Sequence, residues 1–184
     1  MEIDGIIKRF QNGDSEAFKE LVFEYYDRIL KLSYFFAGRK EEAKDLGHDI
    51  VLALHNSLGN FRFESKFDTY LYRVAFNTVN NIRRAEKDKW TSSIDDIADK
   101  LTDQADSPEK ITEDKEIKQI MHDMILRLPA QLQDTVYLRY TEEKPYEEIA
   151  EILDCPVGTI MSRLNWAKQK LAKDIKKATR GSRL

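Results

Sequence analysis

The stretch Tyr146 to Leu171, YEEIAEILDCPVGTIMSRLNWAKQKL, admits few folds: two short helical patterns separated by a tight turn, the second opening polar and ending basic. Ile149, Ala150 and Leu153 recur on one face of a first helix, expected over Tyr146–Leu153. Ala150 is small where two helices have to approach closely. Asp154 and Cys155 form the turn, and aspartate tolerates the left-handed backbone such turns often use. Pro156 can open the second helix, whose first turn has no use for the missing N–H. Beyond it Ile160, Leu164, Ala167 and Leu171 point inward, and Thr159, Ser162, Arg163 and Asn165 point outward. A helix displayed in this way fits the major groove of duplex DNA, with its first residues against base edges and its leading N–H groups near a phosphate. The tail supports that partner. From Pro156 onward Arg163, Lys168, Lys170, Lys173, Lys176, Lys177, Arg180 and Arg183 face only Asp174 among the acids, whereas a solvated face ordinarily mixes both signs.

The net charge of −3 does not argue against such a partner, because a phosphate feels the local field and the charge is unevenly spread. Acids collect from Asp95 to Glu116; bases collect from Arg62 to Lys89 and again after Pro156. With 41% hydrophobic and 34% charged residues and only 7 Gly and 4 Pro, the chain reads as helix-rich. No apolar run is long enough to span a membrane, and the first residues, MEIDGIIKRFQNGD, do not resemble a secretory signal, so a cytoplasmic location without membrane insertion is expected. Cys155, His48, His55 and His122 make no metal-ligand spacing; neither metal nor cofactor is expected, and Cys155 reads as a small, part-buried turn residue.

An all-α chain of two small helical domains follows from the rest of the pattern. Gly13-Asp14-Ser15 reads as a stop and N-cap before a long helix with Phe18, Leu21, Val22, Tyr25, Ile29, Leu32 and Phe36 on one face, ended by Gly38. A second helix, from about Glu41 to Leu58, repeats the device with Ala43, Leu46, Ile50, Val51, Leu54 and Leu58; Gly59-Asn60 closes it. A third, from about Lys66 to Lys87, buries Phe67, Leu71, Val74, Ala75 and Ile82. Together they predict a three- or four-helix bundle over residues 1–90. Residues 91–115 read as a flexible acidic linker broken at Ser107-Pro108, with Ile94, Ile97 and Leu101 open to a docking role or a transient turn. A second unit, 116–184, starts with Ile117, Ile120, Met121, Met124, Ile125 and Leu128. Pro129 opens its next helix, and Leu132, Val136 and Tyr140 support the helix-turn-helix.

Two separate stretches resemble the two conserved domains of bacterial RNA polymerase sigma factors of the extracytoplasmic-function group. In the first unit, residues 42–50 (EAKDLGHDI) are similar to the family's A-E-D-L-x-Q-E-x-F, and 70–77 (YLYRVAFN) to its W-L-x-R-I-A-x-N. In the second, Leu128-Pro129, 146–150 (YEEIA) and 156–164 (PVGTIMSRL) are similar to L-P, S-Y-x-E-I-A and P-x-G-T-V-K-S-R-L. The resemblance implies a non-enzymatic specificity subunit that binds core RNA polymerase, reads promoter elements near −10 and −35 and helps open the DNA, commonly under the control of an anti-sigma protein.

What the resemblance implies for single residues is specific. Asp45, Leu46, His48 and Asp49 match the surface that grips a helix pair of the polymerase, where carboxylates beside an apolar anchor suit a basic partner. The loop from Gly59 to Lys66 combines aromatic and basic residues, as capture of a displaced strand requires. Asn60, Arg62, Phe63 and Lys66 are the expected base or strand contacts at −10, with Arg73, Asn77 and Arg84 on duplex or phosphate; Phe61 and Phe67 are expected in the core. At −35, Thr159, Ser162 and Arg163 match the family's readers and Lys168 and Lys170 are placed to follow the backbone. Arg163 is either a bidentate guanine contact or a phosphate clamp. Met161 stands where the family often carries lysine, and Trp166 where it often carries arginine. The competing reading is a stand-alone helix-turn-helix regulator that binds duplex DNA without polymerase. An enzyme finds no phosphate loop or nucleophile–base pair to rest on.

Overall fold

A computed structural model describes residues 3–91 and 113–181 as helices and short turns. The first unit holds α1 (Ile3–Gln11), α2 (Ser15–Ala37), α3 (Lys40–Leu58) and α4 (Phe67–Thr91). The second holds α5 (Glu113–Leu126), α6 (Ala130–Val136), a π-helical turn (Tyr137–Thr141), α7 (Tyr146–Ile152) and α8 (Val157–Gly181). Helices α4 and α5 thus reach into both ends of the expected linker. The remainder, with Ile94, Ile97 and Leu101, lies outside the described residues.

Local chemistry fixes the helix ends. The Asp14 side chain accepts from the backbone N–H groups of Glu16 and Ala17, capping α2, and the Arg9 guanidinium that donates to it at 2.6 Å holds its carboxyl below the usual range. Gly38 ends α2 at φ 75°, a left-handed conformation that glycine adopts without strain, and returns its N–H to the Tyr34 carbonyl. Gly47 serves a different need: a Cβ there would sit 3.3 Å from Ser33 Oγ, so glycine lets α3 press against α2. Helix α1, which sequence reasoning passed over, buries Ile6 and Ile7. Its Gln11 amide donates to the carbonyls of Leu58 and Phe61, tying α1 to the far end of α3.

The two units pack directly against each other, and α4 is the reason. Of its expected core face Phe67, Leu71 and Ala75 are buried and Val74 and Ile82 are only half-buried, whereas Tyr72, Phe76 and Val79 are buried as well. Val79 borders a cleft against α2 and α3, while Tyr72 and Phe76 face the second unit. Tyr137 lies fully buried there, its ring 4.8 Å from Phe35, 5.6 Å from Phe36 and 6.3 Å from Phe76. Tyr140, expected at helical spacing after Leu132 and Val136, is 54% exposed. The π turn accounts for the difference: Glu142 N–H bonds to the Tyr137 carbonyl, five residues back, which changes the direction of every side chain after α6.

Glu142 locks this contact. It accepts from Tyr72 Oη at 2.6 Å, Tyr137 Oη at 3.0 Å and Lys31 Nζ at 3.1 Å. Burial raises its carboxyl, but these three donors outweigh burial and leave it below the ordinary value of 4.5. Its contribution is therefore complete at neutral pH and disappears as pH falls through the depressed value. Glu142→Ala orphans two buried hydroxyls at about 1 to 3 kcal/mol each, so a loss on the order of 3 kcal/mol is expected in thermal unfolding. Faster hydrogen exchange along α4 should accompany it.

Candidate nucleic-acid interface

The acidic face of α3 is exposed and ordered by helical spacing. Glu42, Asp45 and Asp49 recur at i, i+3 and i+7, and all three border a cleft of about 320 Å³ with Phe36, Ala37, Leu46, Val79, Ile82 and Arg83 as its other walls. Leu46 belongs mainly to the core, at 9% exposure, and touches the cleft only at its edge. His48 is exposed but outside the cleft, whereas Glu42, which sequence reasoning quoted only as part of a motif, completes the row. The spacing from Glu42 to Asp49 was visible in the sequence; the wall opposite, Val79, Ile82 and Arg83 of α4, was not.

The loop between α3 and α4 presents Asn60, Arg62 and Lys66 to solvent. Phe63 is half-buried and held at φ 58°, a left-handed backbone that a bulky side chain rarely adopts, with its ring 4.9 Å from Phe61. Phe61 and Phe67 are core residues, as expected. Lys8 lies 5.3 Å over the Phe63 ring, so α1 adds a cation to the same surface that no local sequence signal connects with the loop.

On α4 the expected DNA contacts separate. Arg84 and Asn77 are exposed. Arg73, in contrast, donates to the carbonyls of Ile152 at 3.2 Å and Glu151 at 2.6 Å, the C-terminal end of α7. A guanidinium beside the carbonyl end of a helix is favourably placed, and here it bridges the units. Arg73, Asn77, Asn80, Gln131, Asp134 and Arg163 share one polar cleft of about 390 Å³ between the two units. Asp134 is buried at its floor, and burial pushes its carboxyl up to about 7 despite the opposing influence of Arg83, Asn80 and Arg163.

The helix-turn-helix forms where its sequence predicts, except that Ile152 is buried and Leu153, expected to point inward, is only half-buried. Asp154 adopts φ 48° in the turn, and Ile149, Ala150, Ile160, Leu164 and Ala167 are buried. Within α8, Ser162, Lys168 and Lys170 are exposed and Thr159 is half-buried. Arg163 is turned sideways: it donates to Gln131 Oε1 at 3.2 Å and lies 3.7 Å from Cys155 Sγ, both within its own unit. Met161 and Trp166, which sequence reasoning treated only as lost charges, are 52% and 69% exposed.

This arrangement defines a helical nucleic-acid-binding protein with a helix-turn-helix in one unit and an exposed acidic row in the other. Comparison with known proteins narrows the class. Residues 21–89 match the family model for sigma-70 region 2, and residues 118–171 match the model for sigma-70 region 4. The chain is 35% identical over 175 residues to the RNA polymerase sigma-H factor of Pseudomonas aeruginosa, covering 91% of both chains. It is 31% identical over 183 residues to the ECF sigma factor SigW of Bacillus subtilis, covering 96% of this chain and 98% of that one. Among solved structures, CnrH in complex with the cytosolic domain of CnrY superposes at TM-score 0.64 and 15% identity over 94% of this chain and 96% of that one. RpoE of Bartonella quintana, bound to the anti-sigma factor NepR, gives 0.65 and 18% over 86% of this chain and 96% of that one. The chain belongs to the sigma-70 family, as a sigma factor of the extracytoplasmic-function group, and the stand-alone regulator is set aside.

Proposed function

We propose that this sigma factor docks on core RNA polymerase through the Glu42–Asp45–Asp49 row, with Leu46 as its apolar edge and His48 beside it. It then directs initiation by holding the displaced strand near −10 at Asn60, Arg62, Phe63 and Lys66. Asn77 and Arg84 follow the adjoining backbone, and α8 lies in the −35 element with Thr159 and Ser162 at its leading end and Lys168 and Lys170 along the phosphates. The observation that carries the reading is the exposed carboxylate row along a cleft whose other walls are apolar but for Arg83, a surface a DNA-binding regulator acting alone has no use for. The work is cytoplasmic and non-enzymatic, since the polymerase supplies the chemistry. Residues 1–90 and 116–184 are the working domains, and 91–115 is the tether between them.

The packed arrangement then belongs to the free protein. Elements at −10 and −35 lie about 25 base pairs apart, roughly 85 Å at 3.4 Å per step, and two units in contact cannot occupy both. Parting them releases Arg73, whose carbonyl partners lie in the other unit, for duplex contact. An anti-sigma protein suits the same logic, since any partner that binds the packed form better than the open one holds the factor inactive.

Association of the labelled chain with core polymerase tests this reading. Saturable binding is expected, together with weak, salt-sensitive binding of the free chain to promoter duplex. Tight operator binding without polymerase, and none to core, would overturn it.

A further inference from the structure

Resting on the −35 assignment of α8, we infer that its base-reading surface is an uncharged stripe in which Met161, Ser162 and Asn165 meet the bases and Trp166 flanks them, and that it selects A·T pairs through thymine methyls and adenine edges.

The stripe follows from helical geometry. Gly158, Met161, Ser162, Asn165, Trp166 and Gln169 lie at i, i+3, i+4, i+7, i+8 and i+11 and are all exposed, while Ile160, Leu164 and Ala167 on the opposite face are buried. None of the six carries a charge, on a chain in which 34% of residues do. Lys168, Lys170, Lys173 and Lys176 follow immediately, all exposed. A neutral, partly apolar strip bordered by cations is complementary to a groove floor between two phosphate backbones.

Arg163 does not join the stripe. Its guanidinium is occupied by Gln131 and Cys155, and both belong to the second unit, so parting the units leaves it in place. None of the six is an arginine, so the forked contact to guanine has no donor among them; the nearest cation, Lys168, is i+7 from Met161 and i+3 from Asn165, at the edge of the stripe. The available chemistry is different. The Asn165 amide can donate to and accept from the N6/N7 edge of adenine, and the Met161 thioether side chain can cover a thymine methyl. Ser162 is small, and its hydroxyl donates to the Gly158 carbonyl at 2.9 Å, which leaves room for the backbone of α8 to come close. Trp166, 69% exposed one turn further on, is placed to lie along the sugar edge.

The test uses the full chain with core polymerase on a promoter library randomised through the −35 element. Initiation by the unaltered chain is expected to require A·T pairs at two or more adjacent positions. Asn165→Ala and Met161→Ala should each relax one of them by roughly 10-fold, with thermal unfolding unchanged because both side chains are exposed. Trp166→Ala should lower initiation on all sequences alike. A G·C requirement at those positions, or variants with unaltered base preference, would overturn the inference. Failure of the unaltered chain to initiate at any promoter would overturn instead the sigma assignment on which the inference rests.

Discussion

Replacing Asp45 and Asp49 together by lysine is expected to weaken association with core polymerase about 100-fold, or roughly 3 kcal/mol. Both side chains are exposed on the same strip of α3, so the change should leave folding intact; lysine also favours a helix interior over aspartate. Glu42 remains between them and Arg39, whose guanidinium lies 3.9 Å from it. A two-carboxylate reversal converts attraction to a basic partner into repulsion, and the defect should shrink as salt rises and screening shortens the reach of the charges. Titration of labelled chain into core polymerase at two salt concentrations measures it. Unchanged affinity would remove α3 from the docking surface.

A second large effect lies in the cleft between the units. The Asp134 carboxyl has a value of about 7 in the folded chain against an ordinary 3.8, because burial disfavours its charge more than Arg83, Asn80 and Arg163 restore it. Between those two pH values the folded state binds the extra proton, so stability falls as pH rises from about 4 to about 7 and is level above. At about 1.36 kcal/mol per pH unit, the cost of the ionised group reaches on the order of 4 kcal/mol. Asp134→Asn keeps the shape and removes the charge. It should therefore raise stability at pH 8 by several kcal/mol and change nothing at pH 4. Thermal unfolding across that range reads both arms, and a variant less stable at pH 8 would show that Asp134 is a net anchor for the arginines around it.

How far the sequence spoke depended on whether a signal was local. The caps at Asp14 and Gly38, the turn at Asp154 and the inward faces of α2, α3 and α8 are all set by residues within a few positions of one another, and each was legible. The second face of α4 was not. Tyr72 and Phe76 look like ordinary variation on an amphipathic helix until another unit is laid against them. Tyr137 and Tyr140 exchange roles because one π turn interrupts the helical period, which a fixed spacing cannot anticipate. Arg73 and Arg163 were expected at DNA from the motifs around them, yet Arg73 bonds to a carbonyl 79 residues away and Arg163 to a glutamine 32 residues away along the chain. The sequence indicates that an arginine is present and leaves open which surface it serves. The uncharged stripe on α8 was readable as a pattern, but its significance depends on Arg163 being occupied elsewhere.

Promoter-directed transcription tests the account most directly. Purified core polymerase should produce specific transcripts from a genomic promoter library only when this chain is added, with start sites downstream of a shared pair of elements and with loss of signal for the Asp45→Lys, Asp49→Lys variant. Equal transcript patterns with and without the chain would contradict the assignment of its two units to polymerase and promoter.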